Sequence, residues 1–240
     1  MESFEGEAMI AKNVVVLVQA RLGSTRFPRK MLEQLGDYKL IEWVIFRLKK
    51  SKRISEVVLT TTDNPIDDEL VLLASRMGVS VFRGSENDVL GRFAKAAKCH
   101  KAQIIVRVCA DNPFVDPAEI DNLVDFYFNS NCEYACNHQD RLGSGYSDGF
   151  GAEILSLDLL LKLDNIVNES KYREHVTLFL WENYHQFKLC APKAPNDCNF
   201  PDLKFDVDTQ TDLVYLKKLV SKGVNIDSSS REIIKIALTS

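Results

Sequence analysis

No apolar run in the 240 residues approaches the ~18 that a helix needs to cross a bilayer, so no membrane partner is expected. A basic excess is also missing: 30 lysines and arginines face 34 acidic residues, for a formal net charge of −4. A chain that grips duplex nucleic acid ordinarily carries a basic excess or stripe, so no nucleic-acid partner is expected. Local basic clusters still suit small anions. Residues 1–12 are acidic and too weakly apolar for a secretory signal; they read as a flexible start to a cytoplasmic protein. The six cysteines are scattered. Cys132-x3-Cys136-x-His138 has no matching second pair, which favours free thiols in a reducing compartment over a zinc site. Gly143-x-Gly145-x3-Gly149 misses the dinucleotide fingerprint by one residue and follows no obvious central strand. No Ser/His/Asp arrangement stands out, and the four histidines are isolated. With no repeat, low-complexity segment or Pro/Ser-rich linker, residues 13–240 are expected to form a single domain.

What is present is an ordinary globular composition, 45% apolar and 27% charged, arranged as alternating strands and helices. Residues 14–18 form a continuous apolar run, as in a strand buried on both faces. Leu40, Ile41, Val44, Ile45 and Leu48 recur at helical spacing. Strands are expected at 57–62, 79–82 and 104–108. A helix is expected from Pro65 to about Met77, and another behind a Ser85-x-x-Asp88 cap. Past residue 130 the pattern loosens: a strand at 132–136, a Gly/Ser-rich loop at 138–150, and a helix beginning at 154. A further helix is expected over 172–184, strands at 187–190 and 203–207, and a helix capped by Thr209-x-x-Asp212. Residues 130–205 read as an insertion shaping the substrate and dimer side.

Ligands in open α/β sheets sit beyond the carboxyl ends of the strands, and the chemically richest segments fall there. In "VQARLGSTRFPRKML", Gly23 permits a tight turn, and Arg21, Arg26, Arg29 and Lys30 supply charge for an oxyanion. The loop lacks the Walker pattern, and its bland alternative is a solvated basic loop. Asp111 closes the strand at 104–108, and strand alternation puts Asp206 and Asp208 on one face. Asp111 and Asp208 either hold a divalent cation with substrate phosphates or serve a turn and a helix cap. Arg107 wants a partner, either substrate phosphate or Asp111. Arg173-Glu174-His175 opens a helix facing either a sugar or solvent.

The loop "VQARLGSTRFPRKML", followed in order by "GSENDVLGRF", "RVCADNPFVDP", "DGFGAEIL", "REHVT" and "FDVDTQTDL", resembles cytidylyltransferases of the spore-coat-polysaccharide type. Their relatives activate 3-deoxy-manno-octulosonate and acylneuraminate with CMP. The resemblance spans roughly residues 13–220 and implies an α/β fold of the three-layer nucleotide-diphospho-sugar transferase type with a mostly parallel central sheet. It implies that Gln19, Ala20, Arg21, Gly23, Ser24 and Lys30 bind CTP, with Thr61, Thr62, Ser85, Asp88 and Arg107 around the nucleotide. Arg21, Lys30, Asp111 and Asp208 would be catalytic, Asp111 and Asp208 would hold Mg2+, and Glu153, Arg173, Glu174 and His175 would face the acceptor sugar or sugar acid. A homodimer is implied too. Two departures stand out: Arg29 where the family commonly has glycine, and Asn112 where cysteine is common. The expected activity is CMP transfer from CTP with release of pyrophosphate, for surface polysaccharide synthesis. The alternatives are a nucleotidyltransferase using another NTP or a sugar phosphate, and a non-catalytic nucleotide-binding regulatory module.

Overall fold

Strand β1 (Val14–Gln19) carries five successive apolar residues, so neither of its faces can meet water. In the computed structural model, which describes residues 12–239, it lies in the middle of a seven-stranded sheet with Val14 to Val18 all buried. Each such side chain contributes roughly 1.5–3 kcal/mol of burial. Next along the chain come a short hairpin of β2 (Gln34–Leu35) and β3 (Tyr38–Lys39), and helix α1 (Leu40–Leu48). They lead to β4 (Glu56–Thr62), α2 (Asp68–Arg76), β5 (Ser80–Gly84), α3 (Val89–Cys99), β6 (Ile104–Cys109) and α4 (Pro117–Asn129). The second half adds β7 (Tyr134–Cys136), β8 (Glu153–Ser156), α5 (Leu157–Ile166), α6 (Ser170–Glu174), α7 (Leu178–Glu182), β9 (Leu189–Cys190), α8 (Gln210–Ser221) and α9 (Ser230–Leu238).

The sheet order is β5-β4-β1-β6-β8-β7-β9. Strands β1, β4, β5 and β6 are parallel, and Val16 is flanked by Val57 and Val106. β8 runs antiparallel to both β6 and β7, and β9 is parallel to β7. The sheet is therefore mostly parallel. From β1 the chain moves outward through β4 and β5, then returns to place β6 on the other side of β1. The loops after β1 and β6 consequently diverge and leave a crevice at the switch of direction.

Helices cover both faces. Val14, Val16 and Val18 pack with Ile41, Val44, Leu70, Ala74, Ile120 and Leu123. Val15 and Leu17 pack with Phe93, Leu160, Leu163, Tyr172 and Leu180 on the opposite face. A third cluster joins Trp43, Phe114, Phe150 and Phe205 to Leu213, Leu216 and Ile233 of α8 and α9. No helix among the described residues is long and apolar enough to cross a membrane. The flexible start expected at 1–12 falls, apart from Lys12, outside the described residues.

Several local expectations are corrected. Residues 153–156 form strand β8, and the helix starts only at Leu157, capped by the Ser156 hydroxyl. The helix expected over 172–184 is broken between α6 and α7, so Arg173 and Glu174 end a helix and His175 caps its C-terminus. Asp88, not Ser85, is the N-cap of α3, accepting the Gly91 N–H at 3.0 Å. Residues 203–207 make only an isolated bridge between Lys204 and Asp148. Helix α4 goes unread despite an Asp116 cap and Pro117 in its first turn, and α9 despite its Ser229/Glu232 capping box.

Candidate active site

The loop after β1 is fastened from below. Asp67, fully buried, accepts the Leu22 N–H at 2.7 Å, the Thr61 hydroxyl at 3.0 Å, and both the N–H and hydroxyl of Thr62. Thr61 and Thr62 are themselves buried, so their hydroxyls act on the loop through this carboxylate. Ser24 Oγ accepts the Phe27 N–H (3.4 Å), tightening the turn. A Cβ on Gly23 would come within 3.2 Å of Glu86, which brings the 84–88 loop against this one. The cations divide by position. Arg21 stays partly exposed between Glu174 (3.4 Å) and Glu86 (3.9 Å). Arg29 pairs with Glu69, away from the crevice, and holds a left-handed backbone (φ 59°). That conformation costs a side-chain-bearing residue energy and glycine none.

Lys30 is 6% exposed, and its ammonium donates to the Val207 carbonyl at 2.6 Å and Asp111 Oδ2 at 3.1 Å. Asp208 Oδ1 lies 3.6 Å away and also pairs with Arg26 at 2.9 Å. Residues 96 apart in sequence meet because the 203–207 segment runs beside the loops after β6 and β7: Val207 N–H donates to the Asp111 carbonyl (2.8 Å) and Phe205 N–H to the Asp148 carbonyl (2.9 Å). Gly149 permits that approach. Its φ is +107°, and an added Cβ would lie 2.9 Å from the Phe205 backbone.

Two more carboxylates stand behind. Burial, then the neighbouring Asp206, pushes Asp148 up to about 7. Burial also raises Asp206, against the pull of Lys204 at 3.2 Å, and Lys204 reaches Asp208 at 3.7 Å as well. Asp206 and Asp208 thus share a cation, as strand alternation suggested, without being in a sheet strand. Asp111 and Asp208 fit a hard divalent cation in donor type: they are carboxylate oxygens that converge on one place, at the Lys30 ammonium. No group of three or more His, Cys, Asp or Glu side chains forms a metal site among the described residues, so the remaining ligands would come from substrate or water.

On the other side of β6, Arg107 pairs with neither Asp111 nor open solvent. Its guanidinium meets Glu153, directly opposite across the β6–β8 register, and Gln19 Oε1 at 3.0 Å. Glu153 also accepts from the Tyr134 and Thr177 hydroxyls. Burial alone would raise this carboxyl, but Arg107, His138 and the two hydroxyls outweigh it and hold Glu153 down at about 2. The pair forms part of the wall of a cavity of about 290 Å3 lined by Arg107, His138, Arg141, Glu153, His175 and Thr177, with Leu178 and Trp181. Arg141 lies over the Trp181 ring, 4.3 Å from its centroid. With its amide oxygen assigned toward the donors, Gln139 accepts from His138 Nε2 (2.8 Å) and from Arg141 Nε (2.8 Å) and Nη2 (3.0 Å). His138 Nδ1 and Arg107 Nε are buried without partners among the described residues. Burial lowers the His138 pKa, against the pull of Glu153.

The other expected site residues are distributed unevenly. Gln19, the last residue of β1, accepts from Arg107, Glu174 holds Arg21, and His175 lines the cavity. Arg173 is spent on structure: it binds Asp88 and Asp164 and the carbonyls of Asp164 and Val167, clamping α3 to α5. Asp88 is committed to that clamp and to its cap, while Ser85 Oγ accepts the Asp88 N–H. Residues absent from the sequence reading are Asp67, Arg141 and Trp181, and His138 entered it only as a disfavoured zinc ligand. Asp67 had a signal, standing just beyond a strand end after Asn64-Pro65; Arg141 and Trp181 lie in the irregular half and carry none.

A family model described as "Cytidylyltransferase" matches residues 15–233. The spore coat polysaccharide biosynthesis protein SpsF of Bacillus subtilis is 32% identical over 230 residues, 93% of each chain. A 3-deoxy-manno-octulosonate cytidylyltransferase of Geobacter sulfurreducens is 32% identical over 114 residues, 47% of this chain and 44% of its own. The solved structure of a cytidylyltransferase from Leptospira borgpetersenii superposes with a TM-score of 0.88 at 35% identity, covering 95% of this chain and 94% of its own.

Proposed function

The chain belongs to the cytidylyltransferase family, and we propose that it transfers CMP from CTP to a hydroxyl of an anionic sugar, releasing pyrophosphate, for surface glycan synthesis. One observation carries this reading: Lys30, Asp111 and Asp208 converge at the crevice beside β1, and Arg107 joins the end of β1, through Gln19, to a separate cavity. Nucleotide and acceptor would meet across β6. The acceptor oxygen bonds to the α-phosphorus as the bond to the α–β bridging oxygen breaks, and the hydroxyl proton passes to solvent. Such chemistry needs positioning and charge neutralisation more than a dedicated base.

Arg21 is held only by partly exposed acids and is free to swing to phosphate oxygens, where a guanidinium binds two at once. Lys30, nearly buried, keeps a fixed positive charge at the leaving-group side. Asp111 and Asp208 would hold Mg2+, which supplies charge neutralisation on phosphate oxygens and a lowered pKa for an attacking hydroxyl. In the acceptor cavity Arg107 is neutralised by Glu153, whereas Arg141 has no carboxylate partner among the described residues. That uncompensated guanidinium favours a sugar acid over a neutral sugar. Pyrophosphate release from CTP is measured across sugar acids, aminosugars and sugar phosphates, with products identified by mass. Turnover with sugar acids alone is expected; turnover confined to neutral sugars, or to another NTP, rejects the assignment. Action as a cytoplasmic homodimer belongs to the same reading and is checked by sedimentation.

A further inference from the structure

Four arginines of this chain are largely buried or held tightly in the fold, and three of them are held by a carboxylate or by several carbonyls, although Arg107 Nε lacks a partner among the described residues. Arg47 donates to the carbonyls of Val115, Ile226 and Phe114, Arg107 pairs with Glu153, and Arg173 with Asp88 and Asp164. Arg92 is the exception. It is 2% exposed, on the first turn of α3, and no carboxylate lies within ion-pair distance among the described residues. Its Nη1 donates to the Ser85 carbonyl at 2.5 Å, while its Nε is buried and has no partner.

The nearby acids cannot turn to it cheaply. Asp67 is occupied by Leu22, Thr61 and Thr62, and Asp88 by Arg173 and the Gly91 N–H. Asp63 acts only from a distance, and another cation, Arg21, is among the charges that bear on it. Burying a charge without a counter-charge destabilises a fold; Arg107 and Arg173 are compensated by carboxylates and Arg47 by three carbonyls, whereas Arg92 has a single carbonyl among the described residues. Arg92 also sits in a telling place. Its side chain packs against Gly84, 3.2 Å from the position a Cβ would take there, and holds the carbonyl of Ser85. That 84–88 loop is the one pressed against Gly23 and Arg21.

We propose that Arg92 is a positioning residue of the nucleotide site whose charge is compensated by the bound triphosphate, so that it weakens the empty protein and stabilises the nucleotide complex. The proposal rests on the nucleotide-binding reading above. It assigns a binding role to a side chain that touches the site through the 84–88 loop and through its field on Arg21.

Thermal unfolding of the full chain is measured for Arg92→Met, Arg92→Lys and, as a control for a satisfied arginine, Arg47→Met, each with and without CTP and Mg2+. Steady-state kinetics accompany them. Arg92→Met is expected to melt no lower than the wild type when empty, to lose most of the CTP-induced shift, and to raise the KM for CTP about tenfold or more, the scale of one lost charge-assisted contact. Its kcat should fall much less, and Arg92→Lys should recover part of the CTP shift. Arg47→Met should melt lower with an unchanged CTP shift. If Arg92→Met melts as low as Arg47→Met and keeps the wild-type KM, or if both Arg92 variants fail to fold, Arg92 is only a structural arginine and the proposal is wrong. A wild-type protein that no nucleotide stabilises would instead overturn the nucleotide reading itself.

Discussion

The two sides of β6 use charge in opposite ways. Toward β1, Arg21 and Arg26 stand on an exposed loop, and what is buried is the scaffold beneath: Asp67 and the Thr61 and Thr62 hydroxyls. Toward β8, the charges themselves are buried, Arg107 against Glu153, with Arg141 laid on the Trp181 face beside them. The lesson is a division of labour. Side chains that must move to grip a phosphate are left in water and aimed by a rigid backbone. Side chains that must hold a geometry are paired where water cannot loosen them.

The comparison breaks most visibly at its centre. Asp111→Asn removes one of the two carboxylates meeting at Lys30 and should lower kcat about a thousandfold or more while sparing the fold; near-normal pyrophosphate release would sink the metal assignment. On the β8 side, Glu153→Gln strands a buried guanidinium and should cost about 3–5 kcal/mol in urea unfolding, with Arg107→Met added to it recovering much of that loss. The pH dependence follows in sign. Glu153 is held at about 2 in the fold, below its ordinary value near 4.5, so its contribution is present above the ordinary value and is lost as pH falls from about 4.5 toward 2. Acid titration of stability should show that limb in the wild type and not in Glu153→Gln.

Smaller effects probe the scaffold beneath the phosphate loop. Asp67→Ala leaves the Leu22 N–H and two hydroxyls unpaired, and should destabilise by about 1–3 kcal/mol and raise the KM for CTP more than it lowers kcat. An unchanged KM would show that the loop holds its shape without this carboxylate. The smallest change is expected at the departure from the family pattern. Arg29→Gly removes a left-handed strain of roughly 1–2 kcal/mol but adds unfolded-state freedom, so stability should shift by less than about 1 kcal/mol. Because Arg29 points to Glu69, the KM for CTP should stay within twofold, roughly the limit of such a measurement.

Legibility followed the same division. The parallel half was readable because a strand buried on both faces must be a largely apolar run, as at residues 14–18 and, broken only by Arg107, at 104–108. The second half misled for equally physical reasons. Ile154 and Leu155 suit a strand or a helix, and only pairing with β6 and β7 decides between them. The 172–184 helix breaks before Thr177, whose hydroxyl goes to Glu153 from a different element. Arg173 and Asp88 carry charges of the sort a ligand site needs, yet they face each other, and no spacing reveals that.

The sequence by itself determined the chemistry: a basic, glycine-bearing loop after a buried strand, and aspartates at two later chain reversals, in an order that resembles one family. Those features are local, set by backbone sterics, capping and the two-sided burial of a central strand. The tertiary structure alone decided which charges meet. Lys30 faces Asp111 and Asp208 because the 203–207 segment crosses the loop after β6, Arg107 faces Glu153 because β8 runs antiparallel beside it, and Arg92 forms no ion pair among the described residues. Electrostatic partnership depends on distances of a few ångströms between residues far apart in the chain, and only the packed sheet sets those distances.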